Sequence, residues 1–506
     1  MSEATDDSET YDLLVVGGGI NGCGIARDAA GRGLKVALVE MRDLAHATSS
    51  ASTKMIHGGL RYLEYYEFRL VREALAEREV LLALAPHIIW PIRISIPHAP
   101  WLRPFWLVRT GLFLYDNLSR RLTLPGTETI DIASSPLGVG LRSEFKQGLV
   151  YSDCWVDDAR LVVLNAMDAA ARGASVMTRT KLVSARREGG GWIAELQAEG
   201  ASMTRRIAAR GLVNASGAWV RDVLVHAVGR NDGPGVRLVK GSHVVVPRLY
   251  EGVHGYLLQN EDRRVIFLLP YEDNFTLVGT TDIPIDGPPG PVECGDDEAA
   301  YLCEAASRFL SKPISMSDIV WRYSGVRPLY DDGASDPSAV TRDYVIEIDD
   351  ADGAAPLLDV YGGKITTYRR LSEEALDKLR GYFPAMRGEW TGGAALPGGD
   401  IGKFDEFFAE LLRRFPALPA ETLRKLGRRH GSNALRILEG VKTAADLGKD
   451  FGATLTAREI DWMIDREWAT SSRGVLWRRS KAGLHMTPAQ REAVADYVEA
   501  RLRSKR

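Results

Sequence analysis

Three glycines between two apolar segments constrain the fold more than any other feature of this 506-residue sequence. Residues 11–16 (YDLLVV) predict a buried strand, the residues from 20 onward predict a helix, and residues 34–39 (LKVALV) predict a second strand. The glycines follow the first strand with GxGxxG spacing: Gly17, Gly19 and Gly22. Glu40 ends the second strand. In such a βαβ unit the glycines let backbone approach a pyrophosphate at a helix N terminus, while the acid binds ribose hydroxyls. The pattern therefore predicts a Rossmann-like nucleotide-binding domain.

Two further turns favour a flavin over a nicotinamide nucleotide. Residues 214–217 (NASG) follow the apolar segment GLV, and Gly362, Gly363 and Lys364 follow residues 358–360. Each turn alone is typical of an ordinary chain reversal. Together with the first turn they suit a ligand long enough to touch all three places, so we expect FAD.

Composition and charge exclude several classes of protein. Lys and Arg total 64 against 67 Asp and Glu, a net charge of −3, which argues against a nucleic-acid binder. Four scattered cysteines form no CxxC pair and predict reduced, structural thiols. Nine histidines show no metal-ligand spacing, so no metal site is expected. The best apolar segment, residues 80–92, is too short to span a bilayer, and residues 1–10 lack the apolar core of a secretory signal. We expect a cytoplasmic location.

Local patterns outline the rest of the chain. Residues 62–84 predict one long helix, and five prolines between 86 and 104 predict irregular structure. Residues 264–269 and 275–279 predict an antiparallel hairpin. After residue 399 the pattern becomes helical, and two capping boxes open helices there: Thr456 with Glu459, and Thr487 with Gln490.

A polar segment, residues 48–62 (TSSASTKMIHGGLRY), concentrates hydrogen-bond donors close to Glu40. His57 fits a turn histidine as well as a functional one, and Arg61 fits a helix-surface ion pair with Glu64. Neither structural interpretation explains the concentration of donors. Further cations stand far apart in the chain: Arg327 in SGVRP, Arg342 in TRDY and Lys364 in GGKITTYR. Because several cations suit a phosphate, the sequence predicts a small dianionic substrate.

These segments resemble the aerobic, FAD-dependent glycerol-3-phosphate dehydrogenases. The resemblance covers nearly the whole chain in the right order and includes VVGGGINGCGIARDAAGRG, TSSASTKMIHGGLRYLEYYEF, YSDCWVDDARLV, LVNASG, KGSHVVVP, LVGTTD, YSGVRPL, TRDY, YGGKITTYR and LWRRSK. It implies an α/β plus α+β fold in which a Rossmann-like FAD domain is interleaved with an antiparallel-sheet substrate domain and followed by a C-terminal helical domain. The expected bounds are 1–85, 150–235 and 355–390 for the FAD domain, 86–149 and 236–354 for the substrate domain, and 391–506 for the helical domain.

The resemblance also implies an activity. Family members oxidise sn-glycerol 3-phosphate to dihydroxyacetone phosphate by hydride transfer to FAD and pass the electrons to ubiquinone or menaquinone. They are homodimers attached to the cytoplasmic face of the membrane without spanning it. An oxidase that reduces oxygen and a non-catalytic flavin-binding scaffold remain alternatives.

Site residues follow from the matching motifs. His57 is the first choice for the base that accepts the C2 hydroxyl proton, and Lys364 is the second. The residues expected to bind substrate are Arg61, Tyr62, Arg327, Arg342 and Thr367. Those expected to bind FAD are Gly17, Gly19, Gly22, Glu40, Thr48, Ser49, Lys54, Gly217, Gly363 and Thr366.

Two segments suit contact with a membrane surface. Residues 101–115 (WLRPFWLVRTGLFLY) mix aromatic, aliphatic and basic side chains, which fits a helix in the headgroup region or a buried core helix. Trp477, Arg478, Arg479 and Lys481 form a second basic patch, for which a solvated face is the alternative.

Overall fold

The computed structural model describes residues 9–119, 123–331 and 343–505. The chain divides into two compact units. As far as their residues are described, the first contains Met1–Ser50, Ala159–Arg237 and Pro328–Arg506, and the second contains Ala51–Asp158 and Leu238–Arg327. The C-terminal helices thus group with the first unit, and the three-domain division stays a prediction.

The strands are numbered along the chain as β1 (Glu9–Val16), β2 (Val36–Glu40), β3 (Met55–Ile56), β4 (Ile89–Pro97), β5 (Glu128–Asp131), β6 (Gln147–Val156), β7 (Ser175–Thr178), β8 (Thr180–Glu188), β9 (Gly191–Ala198), β10 (Arg205–Asn214), β11 (Gly235–Pro247), β12 (Gly255–Gln259), β13 (Val265–Tyr271), β14 (Phe275–Gly279), β15 (Ile283–Ile285), β16 (Trp321–Asp331), β17 (Val345–Asp349) and β18 (Leu357–Tyr361). The helices are α1 (Ile20–Gly31), α2 (Phe68–Leu84), α3 (Phe105–Asn117), α4 (Asp158–Ala171), α5 (Val220–Asp222), α6 (Asp296–Ser307), α7 (Tyr368–Lys378), α8 (Phe404–Arg414), α9 (Ala420–His430), α10 (Asn433–Ile437), α11 (Ala457–Arg466) and α12 (Pro488–Arg503).

The sheet of the first unit is mostly parallel and has the strand order β17–β18–β10–β1–β2–β7, with β9 and β8 extending from β10. Val16 at the end of β1 lies opposite Val39 of β2 and Asn214 of β10, and Asn214 lies opposite Asp359 of β18. The chain therefore leaves β1, β2, β10 and β18 at the same edge, where nucleotides bind in parallel sheets. This confirms the predicted βαβ unit.

The sheet of the second unit has the order β15–β11–β14–β13–β12–β4–β6–β3. Its β13 and β14 form the predicted antiparallel hairpin, with Tyr271 opposite Phe275. The segment predicted to be irregular contains β4, because its prolines are tolerated while neighbouring residues pair with β6 and β12. The α/β plus α+β fold class, with helices in the C-terminal region, is confirmed.

The helix predicted for residues 62–84 is two helices. A 3-10 helix, Leu60–Tyr65, ends at Tyr66, whose φ of 61° reverses the chain before α2 begins. In the C-terminal region, Thr487 and Gln490 form the predicted capping box of α12. The box predicted at Thr456 is wrong: α11 begins there, but the Thr456 side chain makes no capping hydrogen bond. Glu459 is buried and bound to other side chains.

The two candidate membrane segments differ in the structure. Helix α3, which contains most of the segment 101–115, buries Leu112 and Tyr115 but exposes Trp106 and Phe113. The basic patch at 477–481 is neither a membrane face nor a solvated one, because Arg478, Arg479 and Lys481 are buried. Among the described helices, none has the length and apolar character needed to cross a membrane.

Candidate functional site

The turn between β1 and α1 can be built only from glycine at two positions. Gly17 has a φ of 113°, and a Cβ there would lie 2.5 Å from the carbonyl oxygen of Ala215. A Cβ on Gly22 would lie 1.9 Å from the carbonyl oxygen of Gly17. The N-cap residue of α1 is Gly19, which has no side chain to cap the helix. The first turn of α1 contains no acidic residue. The N terminus of α1 therefore carries no acidic side chain of its own and favours a negatively charged group.

Glu40 lies directly beside this turn. Its Oε2 accepts a hydrogen bond of 2.7 Å from the backbone N–H of Gly18, and its Oε1 accepts one of 2.7 Å from that of Arg42. Burial raises the pKa of Glu40, although both backbone donors oppose the change. Sequence reasoning missed Gly18, where a Cβ would lie 2.7 Å from the Cβ of Glu40. The requirement for three consecutive glycines was visible in the sequence as GGG.

The second turn, after β10, is held by side chains that the prediction did not include. The Nδ2 of Asn214 donates to Oδ1 of Asp359 and to the carbonyl of Val220, both at 2.9 Å. The Ser216 hydroxyl donates to Oδ1 of Asn214 at 2.6 Å. These bonds hold the chain around Gly217, which has a φ of 61°.

The third turn, after β18, meets the first through Asn21. Its Nδ2 donates to the carbonyl of Gly362 at 3.1 Å, and a Cβ on Gly363 would lie 2.8 Å from the same nitrogen. Thr366 and Thr367 are buried just before α7, and Lys364 is half-buried. The structure therefore brings the three predicted turns together at one edge of the first sheet.

The polar segment contributes to both units. In the first unit, Ser49 lies on a short 3-10 helix, Thr48–Ser50, and its Oγ accepts a hydrogen bond of 3.0 Å from the N–H of Ile20. In the second unit, Lys54 is fully buried, and its Nζ donates to both oxygens of Asp158 at 2.9 Å. The Lys54 ammonium is therefore paired with a carboxylate.

Hydrogen bonds to buried side chains hold the loop that carries His57. The N–H of Gly58 donates to the Tyr115 hydroxyl at 2.7 Å, and that hydroxyl donates to Oδ1 of Asp153 at 2.8 Å. Asp153 also accepts a hydrogen bond of 2.7 Å from Arg78. The tyrosine, aspartate and arginine are all buried. His57 is half-buried, and the hydrogen bond of the neighbouring Gly58 to buried Tyr115 fixes the backbone beside it.

Arg61 and Tyr62 follow on the 3-10 helix, Leu60–Tyr65, and both are half-buried. Gly59 has a φ of 76°, and a Cβ there would lie 2.2 Å from the Tyr62 ring. The second glycine of the HGG sequence therefore lets the ring fold back over the loop.

Arg327 and a histidine absent from the prediction lie on other strands of the second unit. The Arg327 guanidinium is paired with Asp282 and donates to the carbonyl of Thr281 at 2.9 Å. His243 is buried, with Nε2 3.0 Å from the Thr53 hydroxyl and its ring stacked on Tyr323. Burial and the nearby charges of Lys54 and Arg327 hold the pKa of His243 well below its usual value. The sequence feature that could have indicated His243 is the motif KGSHVVVP. Arg342 lies outside the described residues.

The turns fit a dinucleotide, because a side chain would clash at Gly17, Gly22 and Gly363 and the bare backbone can approach a large ligand. A scan against protein families matches residues 12–348 to the FAD dependent oxidoreductase family. A D-erythritol 1-phosphate dehydrogenase from Brucella abortus is 51% identical, covering 97% of this chain and 98% of its own. The aerobic glycerol-3-phosphate dehydrogenase of Escherichia coli is 49% identical over 97% of each chain.

Solved structures agree with these relatives. The glycerol-3-phosphate dehydrogenase from Bacillus halodurans, complexed with FAD, aligns with a TM-score of 0.72 and 25% identity, covering 98% of this chain and 95% of that one. The family match spans about two thirds of the sequence, and the relatives match it almost end to end. The chain therefore belongs to the FAD-dependent oxidoreductases.

Proposed function

We propose that this protein oxidises sn-glycerol 3-phosphate to dihydroxyacetone phosphate and passes the electrons to ubiquinone or menaquinone. The observation that carries the proposal is the 49% identity to an aerobic glycerol-3-phosphate dehydrogenase over 97% of both chains. When bound, FAD would supply the acceptor for the hydride that leaves C2 of the substrate. Side chains of the protein would bind the substrate and remove the proton of its C2 hydroxyl.

The three turns would hold FAD through backbone groups, with the pyrophosphate at the N terminus of α1 and ribose hydroxyls on Glu40. Glu40 can accept such hydroxyls beside its bond to Gly18, since each carboxylate oxygen has two lone pairs. The proposed FAD-binding residues are Gly17, Gly19, Gly22, Glu40, Thr48, Ser49, Lys54, Gly217, Gly363 and Thr366.

The substrate phosphate and hydroxyls would be bound by Arg61, Tyr62, Arg327, Arg342 and Thr367. A guanidinium matches a phosphate with two parallel hydrogen bonds. For Arg327 this implies that its ion pair with Asp282 opens or is shared when substrate binds. His57 would accept the proton of the C2 hydroxyl, with Lys364 as the second candidate. The anchored Gly58 supports the assignment to His57, because a base must be held within hydrogen-bond reach of its proton.

The central test is anaerobic addition of glycerol 3-phosphate to the purified holoenzyme while the flavin absorbance at about 450 nm is recorded. Bleaching is expected, and its absence would exclude glycerol 3-phosphate as the substrate. His57→Ala should slow flavin reduction by about 10²-fold or more. His226→Ala is the matched control, since His226 is exposed and its side chain is paired with Asp222 on the protein surface. A His57→Ala enzyme within a few-fold of the unaltered protein would assign the base elsewhere.

D-Erythritol 1-phosphate is a second candidate substrate, because the relative of that name is 51% identical. Like glycerol 3-phosphate, it carries a secondary hydroxyl next to the phosphorylated carbon, so the same cations and base could act on it. Comparing kcat/KM for the two substrates decides between them. Oxygen consumption with and without a quinone analogue separates a dehydrogenase from an oxidase.

The quinone acceptor requires access to a membrane, and α3 suits one. Its exposed Trp106 and Phe113 lie among Arg103 and Arg109, which are also exposed. We expect a homodimer bound through α3 to the inner face of the plasma membrane. Sedimentation with anionic vesicles should fall after Trp106→Ser or Phe113→Ser. Val253→Ser, at a still more exposed apolar residue of the same unit, should sediment as the unaltered protein does.

A further inference from the structure

The loop that follows β2 is bound by two consecutive arginines from the C-terminal region. Asp43, in this loop, is 7% exposed, and its Oδ2 accepts a hydrogen bond of 2.6 Å from Arg478. Arg479 donates to both oxygens of the same carboxylate at 2.8 Å. The two arginines end a short π-helical segment, Gly474–Arg479, and a Cβ on Gly474 would lie 2.7 Å from Oδ2 of Asp43. A segment over 400 positions away along the chain thus closes around one buried carboxylate.

The arginines are themselves fixed by further buried groups. The carbonyl of Glu467 accepts two hydrogen bonds from Arg479, at 2.5 and 3.1 Å. The carboxylate of Glu467 is bound at 2.5 Å by Arg160 of α4. Glu467 and Arg479 are completely buried, and Arg160 is nearly so. Because unpaired charges are costly in such surroundings, these groups must keep their partners.

The charge balance favours the ionised carboxylate. Burial alone would raise the pKa of Asp43, but Arg479 and Arg478 outweigh it and lower the pKa to about 2. Asp43 is therefore negatively charged throughout the physiological range and keeps both arginines in place.

The same loop supports the first glycine turn on either side of Asp43. Two residues later, the N–H of Ala45 donates to the carbonyl of Gly18 at 3.0 Å. Further on, Ser49 accepts the hydrogen bond from Ile20 at the start of α1. On the other side, Glu40 accepts the hydrogen bond from Gly18. These three hydrogen bonds to the turn and to the start of α1 all come from residues within six positions of Asp43.

We propose that Asp43, clamped by Arg478 and Arg479, is a positioning residue for the cofactor, so that the C-terminal helical region sets how tightly FAD is held. The carboxylate touches no proposed FAD-binding atom; it fixes the loop whose Ala45 and Ser49 hold the turn in shape. The inference rests on the proposed location of FAD at this turn. It assigns the C-terminal region a role in cofactor retention.

The test measures FAD release from the purified holoprotein without substrate. Dilution frees FAD, whose fluorescence rises as it leaves the protein, and visible circular dichroism reports the surroundings of the bound flavin. Asp43→Asn should weaken FAD binding by about tenfold or more, the size of a typical coupling between sites. Arg478→Gln should weaken it less, because Asp43 keeps both bonds from Arg479.

Arg429→Met is the matched control. Arg429 is 7% exposed and donates to both oxygens of Glu459 at 3.0 Å, so its loss breaks an equally buried ion pair of the C-terminal helices that does not touch the loop. Thermal unfolding of each variant measures the general loss of stability. The proposal requires faster FAD release from the Asp43 or Arg478 variant than from a control of equal thermal stability.

Equal FAD release from the control and the loop variants would overturn the proposal, as would unchanged FAD affinity in both loop variants. If Asp43→Asn fails to fold, Arg478→Gln decides alone, by the same comparison. Substrate is absent from this experiment, so its outcome is independent of the proposed oxidation. Anaerobic bleaching of the flavin tests that reaction separately.

Discussion

Replacing Asp359 by asparagine should stabilise the protein at alkaline pH and leave its stability unchanged at acidic pH. Asp359 is 4% exposed and accepts one hydrogen bond from Asn214, which an asparagine oxygen can also accept. Burial raises its pKa from 3.8 to about 7. Glu347 and Asp349 on the neighbouring strand add to this effect, whereas Asn214 and Arg230 oppose it.

The sign follows from proton linkage. Between pH 4 and 7 the folded protein holds a proton on Asp359 that the unfolded chain has released, so stability falls as the pH rises through this range. A pKa change of about 3 units corresponds to about 4 kcal/mol in the free energy of unfolding. Asparagine avoids this cost. The variant should be more stable by up to about 4 kcal/mol at pH 8 and equal to the unaltered protein near pH 4.

Urea unfolding of the two proteins at pH 5, 6.5 and 8 measures the difference. Asp349→Asn is the control of opposite sign. Burial would raise the pKa of Asp349, but Arg187 and Arg230 outweigh it and lower the pKa, so loss of that carboxylate should destabilise the protein at pH 8. A stability difference for Asp359→Asn that does not change with pH would refute the reasoning.

Two further substitutions test the site. Gly22→Ala should yield protein with little bound FAD, measured by the ratio of flavin to protein absorbance, because its Cβ would lie 1.9 Å from a carbonyl oxygen of the turn. Gly381→Ala, where nothing lies within 4 Å, should keep its FAD, and a normal flavin content in both would place FAD elsewhere. Tyr115→Phe removes the hydroxyl that holds Gly58 and should lower kcat/KM by about tenfold through misplacement of the loop. Tyr256→Phe removes a hydroxyl that donates to the carbonyl of Val139 at 2.8 Å, away from the His57 loop; it should cost about 1 kcal/mol in stability and keep its activity. Equal activity of the two tyrosine variants would contradict a positioning role for Tyr115.

The glycine turns could be predicted from sequence because their requirement is local. At Gly17 and Gly22 the backbone itself forbids a side chain, and their spacing records this directly. The surroundings of Arg478 are decided by Asp43, more than 400 positions earlier, which no local pattern reveals. From the sequence alone, the positive charge of Arg478 therefore suggested that it belongs to a basic patch on the surface.

The same distinction explains the error at Glu459. The residue stands at the right spacing for a capping box, yet the buried Arg429 and His430 bind it instead. His243 was missed for a similar reason. The motif KGSHVVVP contains this histidine but does not show what it contacts, and only the assembled sheet brings it to Thr53 and Tyr323.

The order of the first sheet also bears on how the protein is made. β1 lies between β2 and β10, and β18 pairs with β10, so strands from the start of the chain wait for partners that are synthesised much later. The nucleotide turn at Gly17 is complete only when Gly363, held against Asn21, has been translated. Such long-range pairing slows folding. With FAD at the proposed site, the nascent chain would have no complete flavin site before that point, so FAD would stabilise the first unit only late in its folding.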